Sequence, residues 1–361
     1  MNKKSKIYFG CLVGLFFISM LLNIKTGAIN KHNKNITMMY IHIAEGCTKA
    51  KLYEISNFYY KVAMKISSKP TKWLDFNIAK NIIQDQWSAE LTPNKISKLQ
   101  EAIQHLDIEI KKHPNNADIN AEYAYAYHLL QDFDKAIEYY EKVLQKIPEW
   151  EYGLQELSSI YTNIKFDYKK ALEYRNRKME VSINEGYYGD YFAKAFILSK
   201  LERRKEAIDY YKKYIEHNPT HVAGYVNIAH CEVYEGLYED AEIHVNEGLK
   251  LAPTFSYLLE AKIDILQHKH EFEKAKKLAE ELLMRDQYNY SSYWTFAELK
   301  RYEGNSAEAE EFYQKAKENA QEYYDKFCDN PYDIGDADGK CGNRYEFLQE
   351  FEKSKKKPLN F

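Results

Sequence analysis

The chain has 361 residues, a formal net charge of -3 at pH 7 and a pI near 6.4, which allows one large or two ordinary domains and lacks the strongly basic balance of a nucleic-acid binder. Gly and Pro number only 14 and 8 while Tyr reaches 33, so helix formers and bulky rings outweigh turn formers and an all-helical chain is expected.

Residues 1–6 carry three lysines, and Ile7 to Leu22 then run without a charge. A basic start ahead of an apolar run is a membrane-targeting pattern, so residues 1–24 are expected to be a signal or a retained single-span anchor. Lys25 stands directly before the small residues Thr26, Gly27 and Ala28 and favours retention over cleavage there. The basic residues ahead of the span favour a cytoplasmic N-terminus, which makes the protein membrane-anchored or exported with its bulk on the extracytoplasmic side.

Residues 25–46 are polar and mixed and read as a tether. Residues 47–114 read as N-terminal helices: Thr48 to Ser68, ended by Pro70; Trp73 to Leu91; and a third from Thr92-Pro93 to Lys112. The Thr-Pro pair supplies an N-cap and a proline at the first helical position. Ala102, with Pro114 twelve residues on, marks the third helix as the second half of a degenerate repeat.

From residue 115 to 325 the chain is periodic. Ala136, Ala171, Ala207, Ala241, Ala275 and Ala309 follow one another at steps of 35, 36, 34, 34 and 34, and Pro148, Pro219 and Pro253 close three of the units twelve residues later. Extra residues around Lys165 to Tyr168 and Asn184 to Tyr187 interrupt the register and are expected at turns. In the cleanest unit, residues 117–150, Tyr123, Ala124 and Tyr127 precede Ala136, Tyr140, Val143 and Pro148. With this spelling the chain resembles the tetratricopeptide repeat family. The resemblance implies an all-α, right-handed superhelical solenoid of about six helix-turn-helix repeats across residues 115–325. Alanines act as spacers where the two helices of a unit approach, rings fill the gaps between units, and one unit alone cannot bury its apolar face.

Spellings for catalysis or cofactors are missing: there is no phosphate-binding glycine loop, no His-Glu-x-x-His, no Cys-x-x-Cys and no nucleophile elbow. No enzyme, catalytic residue, cofactor or metal is therefore expected. His217 and His221 have ligand spacing, but Pro219 between them breaks the shared face. Residues 326–361 read as a loop closed by a Cys328–Cys341 disulfide, natural in an oxidising compartment, leading into a capping helix around Tyr345 to Lys353. Asp336, Asp338 and Gly339 resemble half a calcium loop, but Ile334 and Tyr345 stand where acids are needed. Cys47 and Cys231 have no evident partner.

In the family the first helices line a concave groove. Carried over by register, that groove comprises Tyr125, His128, Tyr152, Asn163, Phe192, Phe196 and Lys200, followed by His230, Tyr234, Asp264, His268, Trp294, Glu298 and Arg301. Rings with scattered charges suit a protein or peptide partner, because they offer contact area at little rotamer cost. The Lys and Asn clamp of the family's chaperone-tail binders is not spelled, since Ala121 and Tyr125 occupy those sites. The expected function is a non-catalytic interaction scaffold or assembly factor of the cell envelope. A structural spacer and a regulatory subunit of an envelope enzyme are the other readings, and nucleic acid is not expected as a partner.

Overall fold

The computed structural model describes residues 34–66, 73–87, 91–182, 188–285, 288–327, 347–349 and 351. Every regular element among them is a helix. The chain divides into two compact units, with the boundary between Pro148 and Glu149.

The first unit stacks three helical hairpins: α1 (Lys34–Lys49) with α2 (Tyr53–Ile66), α3 (Leu74–Asp85) with α4 (Pro93–Lys112), and α5 (Ala117–Leu129) with α6 (Phe133–Leu144). The Thr92 side chain accepts from the Lys95 N–H and Pro93 opens α4, as the sequence predicts. Of the expected tether, residues 34–46 instead belong to α1, and residues 25–33 lie outside the described residues. Its Tyr40, Ile41 and Ala44 are buried in one core with Tyr59, Tyr60, Ile78, Leu99 and Ala102. Ile36, Met38 and Ile43 pack against the same core, and the segment reads as mixed because the exposed His42 and the half-buried Glu45 break the apolar run. The next two helices are likewise shorter than expected, since the chain breaks after Lys49 and α3 ends at Asp85.

The second unit stacks five hairpins. They are α7 (Glu151–Asn163) with α8 (Tyr168–Val181), α9 (Tyr188–Lys200) with α10 (Arg204–His217), α11 (Val222–Tyr234) with α12 (Tyr238–Leu251), α13 (Ser256–His268) with α14 (Phe272–Arg285), and α15 (Tyr290–Tyr302) with α16 (Ser306–Phe327). Phe347 and Phe351 then pack on Trp294, and Phe351 also joins Ala309 and Tyr313 in the last core cluster. Cys328, Cys341 and the loop between them lie outside the described residues, as do residues 1–24 and the Asn184 to Tyr187 insertion. Cys47 and Cys231 are free, buried thiols.

All six periodic alanines are buried. A larger side chain at such a contact would overpack it, at a typical cost of about 1–3 kcal/mol. The turns of the six hairpins that carry these alanines follow the same period. Gln131, Phe166, Glu202, Gly236, His270 and Gly304 all have positive φ, between 52° and 78°, and each stands five residues before one of the alanines. In five of the six turns the N–H of the next residue bonds the carbonyl five positions back, as Asp132 does to Tyr127 (2.9 Å) and Leu237 to Glu232 (2.8 Å). This left-handed closure satisfies carbonyls that the helix end leaves orphaned.

Lys51 repeats the closure between α1 and α2: its φ is 59°, and the Leu52 N–H bonds the Cys47 carbonyl at 2.9 Å. Counting from Lys51 as from Gln131, Ala44 takes the place of Ala124, Ser56 that of Ala136, and Tyr60 that of Tyr140. The first hairpin is thus a further copy of the unit, with serine in the spacer position. The Ser56 hydroxyl donates to the Ala44 carbonyl (2.9 Å) across the close approach.

The inner face of the first helices as a candidate binding surface

In the second unit α9, α11, α13 and α15 begin 34 residues apart, so equivalent side chains fall into columns. One column holds Phe196, His230, Asp264 and Glu298; the next, one helical turn on, holds Lys200, Tyr234, His268 and Tyr302. These first helices also touch one another, α9 with α11, α11 with α13 and α13 with α15, which brings the columns side by side.

The columns are electrically uneven. On α9, Lys200 stands over the Phe196 ring, 5.4 Å from its centroid. Burial, reinforced by the Lys200 charge, pushes His230 down to about 4, so its imidazole is neutral near pH 7. On α13 the sign reverses. Asp264 has an exposed side chain, but the surrounding helices displace much of its solvent, and with the Glu260 and Glu298 carboxylates nearby its pKa rises to about 7. Glu260 accepts from Asn289 Nδ2 (2.8 Å), while Glu298 accepts from Arg301 Nη2 (2.7 Å) and from the Tyr313 hydroxyl.

A ladder of ring contacts runs along the hairpin ends. The Arg204 guanidinium lies over Tyr234 (4.8 Å), Tyr238 stacks on His268 (4.2 Å) and Phe272 meets Tyr302 (4.1 Å). Each rung joins the start of one second helix to the end of the following first helix, and each stands 34 residues from the next. Tyr234, 64% exposed, is the most open ring of this ladder.

The other carried-over positions have varied surroundings. Phe192 packs between Tyr211, Tyr214 and His221, and Trp294 contacts Phe347 and Phe351 of the chain's own C-terminal region. Tyr152 lies beside Trp150, and Asn163 donates to Ser159 Oγ (3.2 Å). In the first unit Tyr125 meets Trp87 and Tyr140 edge-on, and His128, its pKa lowered by burial, contacts the Tyr140 hydroxyl at 3.2 Å. The register argument missed Glu260, Arg204, Tyr238 and Phe272. The last three were legible in the 34-residue spacing, whereas Glu260 reads as an ordinary solvated helix carboxylate.

His217 and His221 do not share a site, since His217 stacks on Tyr188 (4.2 Å) and His221 Nδ1 lies 2.8 Å from the Tyr214 hydroxyl. Among the described residues no group of three His, Cys, Asp or Glu side chains could hold a metal ion.

Stacked hairpins with alanine spacers, a shared left-handed turn and a row of touching first helices define a helix-turn-helix repeat protein. Two family models described as tetratricopeptide repeat match it, over residues 95–149 and 191–221. The matched stretches carry the tetratricopeptide pattern, and the stacked hairpins around them share its all-α helix-turn-helix form. Among solved structures it is similar to YrrB, described as a TPR protein with an unusual peptide-binding site, at 16% identity, covering 52% of this chain and 95% of that one with a TM-score of 0.45. A tetratricopeptide repeat protein from Parabacteroides merdae is 18% identical over 68% of this chain and 91% of its own, with a TM-score of 0.46. PilW, described as a type IV pilus biogenesis factor, is 14% identical over 60% of this chain and 96% of its own, with a TM-score of 0.47. Among curated proteins none matches.

Proposed function

We propose that the protein is a non-catalytic interaction scaffold or assembly factor that binds a protein segment on the inner face of its first helices. The observation that carries this reading is the pair of register columns on α9, α11 and α13. They combine an open ring at Tyr234, a cation at Lys200 and an exposed carboxylate at Asp264 on helices already fixed by hairpin packing. Rings on a rigid support give a ligand contact area without further ordering cost, and the scattered charges set its register.

The basic and apolar start of the chain supports a place at the cell envelope, with the repeats on the extracytoplasmic side. Among the described residues no helix is long and apolar enough to cross a membrane, so the anchor would lie in the first 24 residues. The test is crosslinking of the full chain in intact envelopes beside a variant with Phe196→Ala and Tyr234→Ala. The expected result is one protein enriched with the native chain and lost with the variant, in the membrane fraction and accessible to protease from outside. Capture that ignores both substitutions would overturn the groove reading in favour of a spacer, and a chain found only in the soluble cytoplasm would overturn the envelope assignment.

A further inference from the structure

Three features of the inner face in the second unit bear on what it binds. First, its cations are already engaged with rings: Lys200 lies over Phe196 and Arg204 over Tyr234. Second, its carboxylates are in excess toward α13 and α15. Glu260 and Glu298 have donors of their own, but among the described residues no hydrogen-bond donor reaches Asp264. Third, among the described residues no group of three His, Cys, Asp or Glu side chains could hold a metal ion, and a lysine or arginine side chain is long enough to reach Asp264 from a segment lying along the wall. Open Tyr234 flanks the same stretch and offers apolar surface one repeat away.

We propose that this face takes a basic, amphipathic protein segment, with a lysine or arginine set against Asp264 and an apolar side against Phe196 and Tyr234. The inference rests on the groove reading above and narrows its partner by charge complementarity. A cation beside Asp264 relieves the repulsion from Glu260 and Glu298 and favours the ionised carboxylate. The charged or titratable groups around Asp264 are Glu260 and His268 on its own helix, Glu298 and Arg301 on α15, Tyr238 on α12 and His230 in the same column of α11. Asp264, held near 7, changes charge between mildly acidic and mildly basic solution. His230 stays neutral across that range, because its own pKa lies near 4.

The experiment uses the full chain and three labelled peptides with leucines at helical spacing, differing only in having lysine, glutamine or glutamate on the polar face; binding is read by fluorescence anisotropy. The lysine peptide is expected to bind about tenfold more tightly than the glutamate peptide, a preference abolished by Asp264→Asn, whose amide keeps the shape and removes the charge. Its affinity should also fall severalfold from about pH 8 to about pH 6 as Asp264 takes up a proton, and Asp264→Asn should flatten that dependence. Equal binding of all three peptides, still lost on Phe196→Ala with Tyr234→Ala, would overturn the basic-segment inference and leave the groove standing. Binding indifferent to both ring substitutions would overturn the groove reading as well. Tighter binding of the lysine peptide after Lys355, Lys356 and Lys357 are changed to glutamine would overturn the external partner and assign the face to the chain's own basic run.

Discussion

Glu122, on α5, shows how a single buried group can set the pH response of its unit. It is almost completely enclosed, and the nearest cation, Lys80 Nζ, is 3.8 Å away. Burial raises its pKa from 4.5 to about 7, with Lys80 opposing the rise and Asp118 adding to it. The folded state therefore holds a proton that the unfolded state releases between these two values. The stability Glu122 contributes is full below 4.5 and is lost as the pH rises through 7. Glu122→Gln, which needs no proton, should raise stability at about pH 8 by about 1–3 kcal/mol and leave it nearly unchanged near about pH 4.5. Denaturant midpoints of the two chains at both pH values check this, and parallel pH profiles would refute it.

At the scale of the element, the recurring turn is the part of the hairpin the sequence hides. Alanine declares itself because nothing larger fits between two close helices, and it does so in six of the copies. The left-handed position five residues earlier is glycine in only two of the six, Gly236 and Gly304. Gln131, Phe166, Glu202 and His270 adopt the same backbone at an energetic cost, because the closure of the helix end holds them there. For an L-residue that conformation costs about 1–2 kcal/mol, less what glycine loses in chain entropy. Gln131→Gly should thus stabilise its hairpin by up to about 1 kcal/mol, while Gly236→Ala should destabilise its own by a similar amount. Thermal melts of the two variants would show shifts of opposite sign. The same logic explains the tether error. In the first hairpin Ser56 stands in the spacer position and Lys51 in the turn position, so neither alanine nor glycine marks them, although Lys51 takes the left-handed backbone and Ser56 spans the close approach.

Across the whole molecule, the repeat architecture was legible wherever packing dictates residue size, and the candidate face only where it coincides with the period. Glu260 was missed because a helix carboxylate carries no size constraint, and its relation to Asp264 and Glu298 arises only when neighbouring hairpins are stacked. Junctions between hairpins are also invisible in one-dimensional spacing. Between α8 and α9 the buried Asp190 carboxylate meets Arg175 Nη1 (2.6 Å) and Lys178 Nζ, joining two hairpins on either side of the insertion. An array of this kind needs its end units to seal exposed apolar faces. A chain lacking α1 should therefore melt well below one beginning at residue 34 and bind a hydrophobic dye at lower temperature, because Tyr59 and Tyr60 lose the cover of Tyr40, Ile41 and Ala44. Each large apolar side chain returned to water costs about 1.5–3 kcal/mol. Identical melting of the two chains would show that α1 is dispensable to the core.

The two buried thiols give each unit its own internal clock. Cys47 lies in the first unit and Cys231 in the second, both free, and burial drives the Cys231 pKa up to about 12. A thiol reagent attacks the thiolate, so neither sulfur reacts until its surroundings open. With Cys11, Cys328 and Cys341 replaced by serine, the alkylation rate of Cys47 would time the opening of one unit and that of Cys231 the other. A partner seated on α11 should slow the second rate and leave the first unchanged.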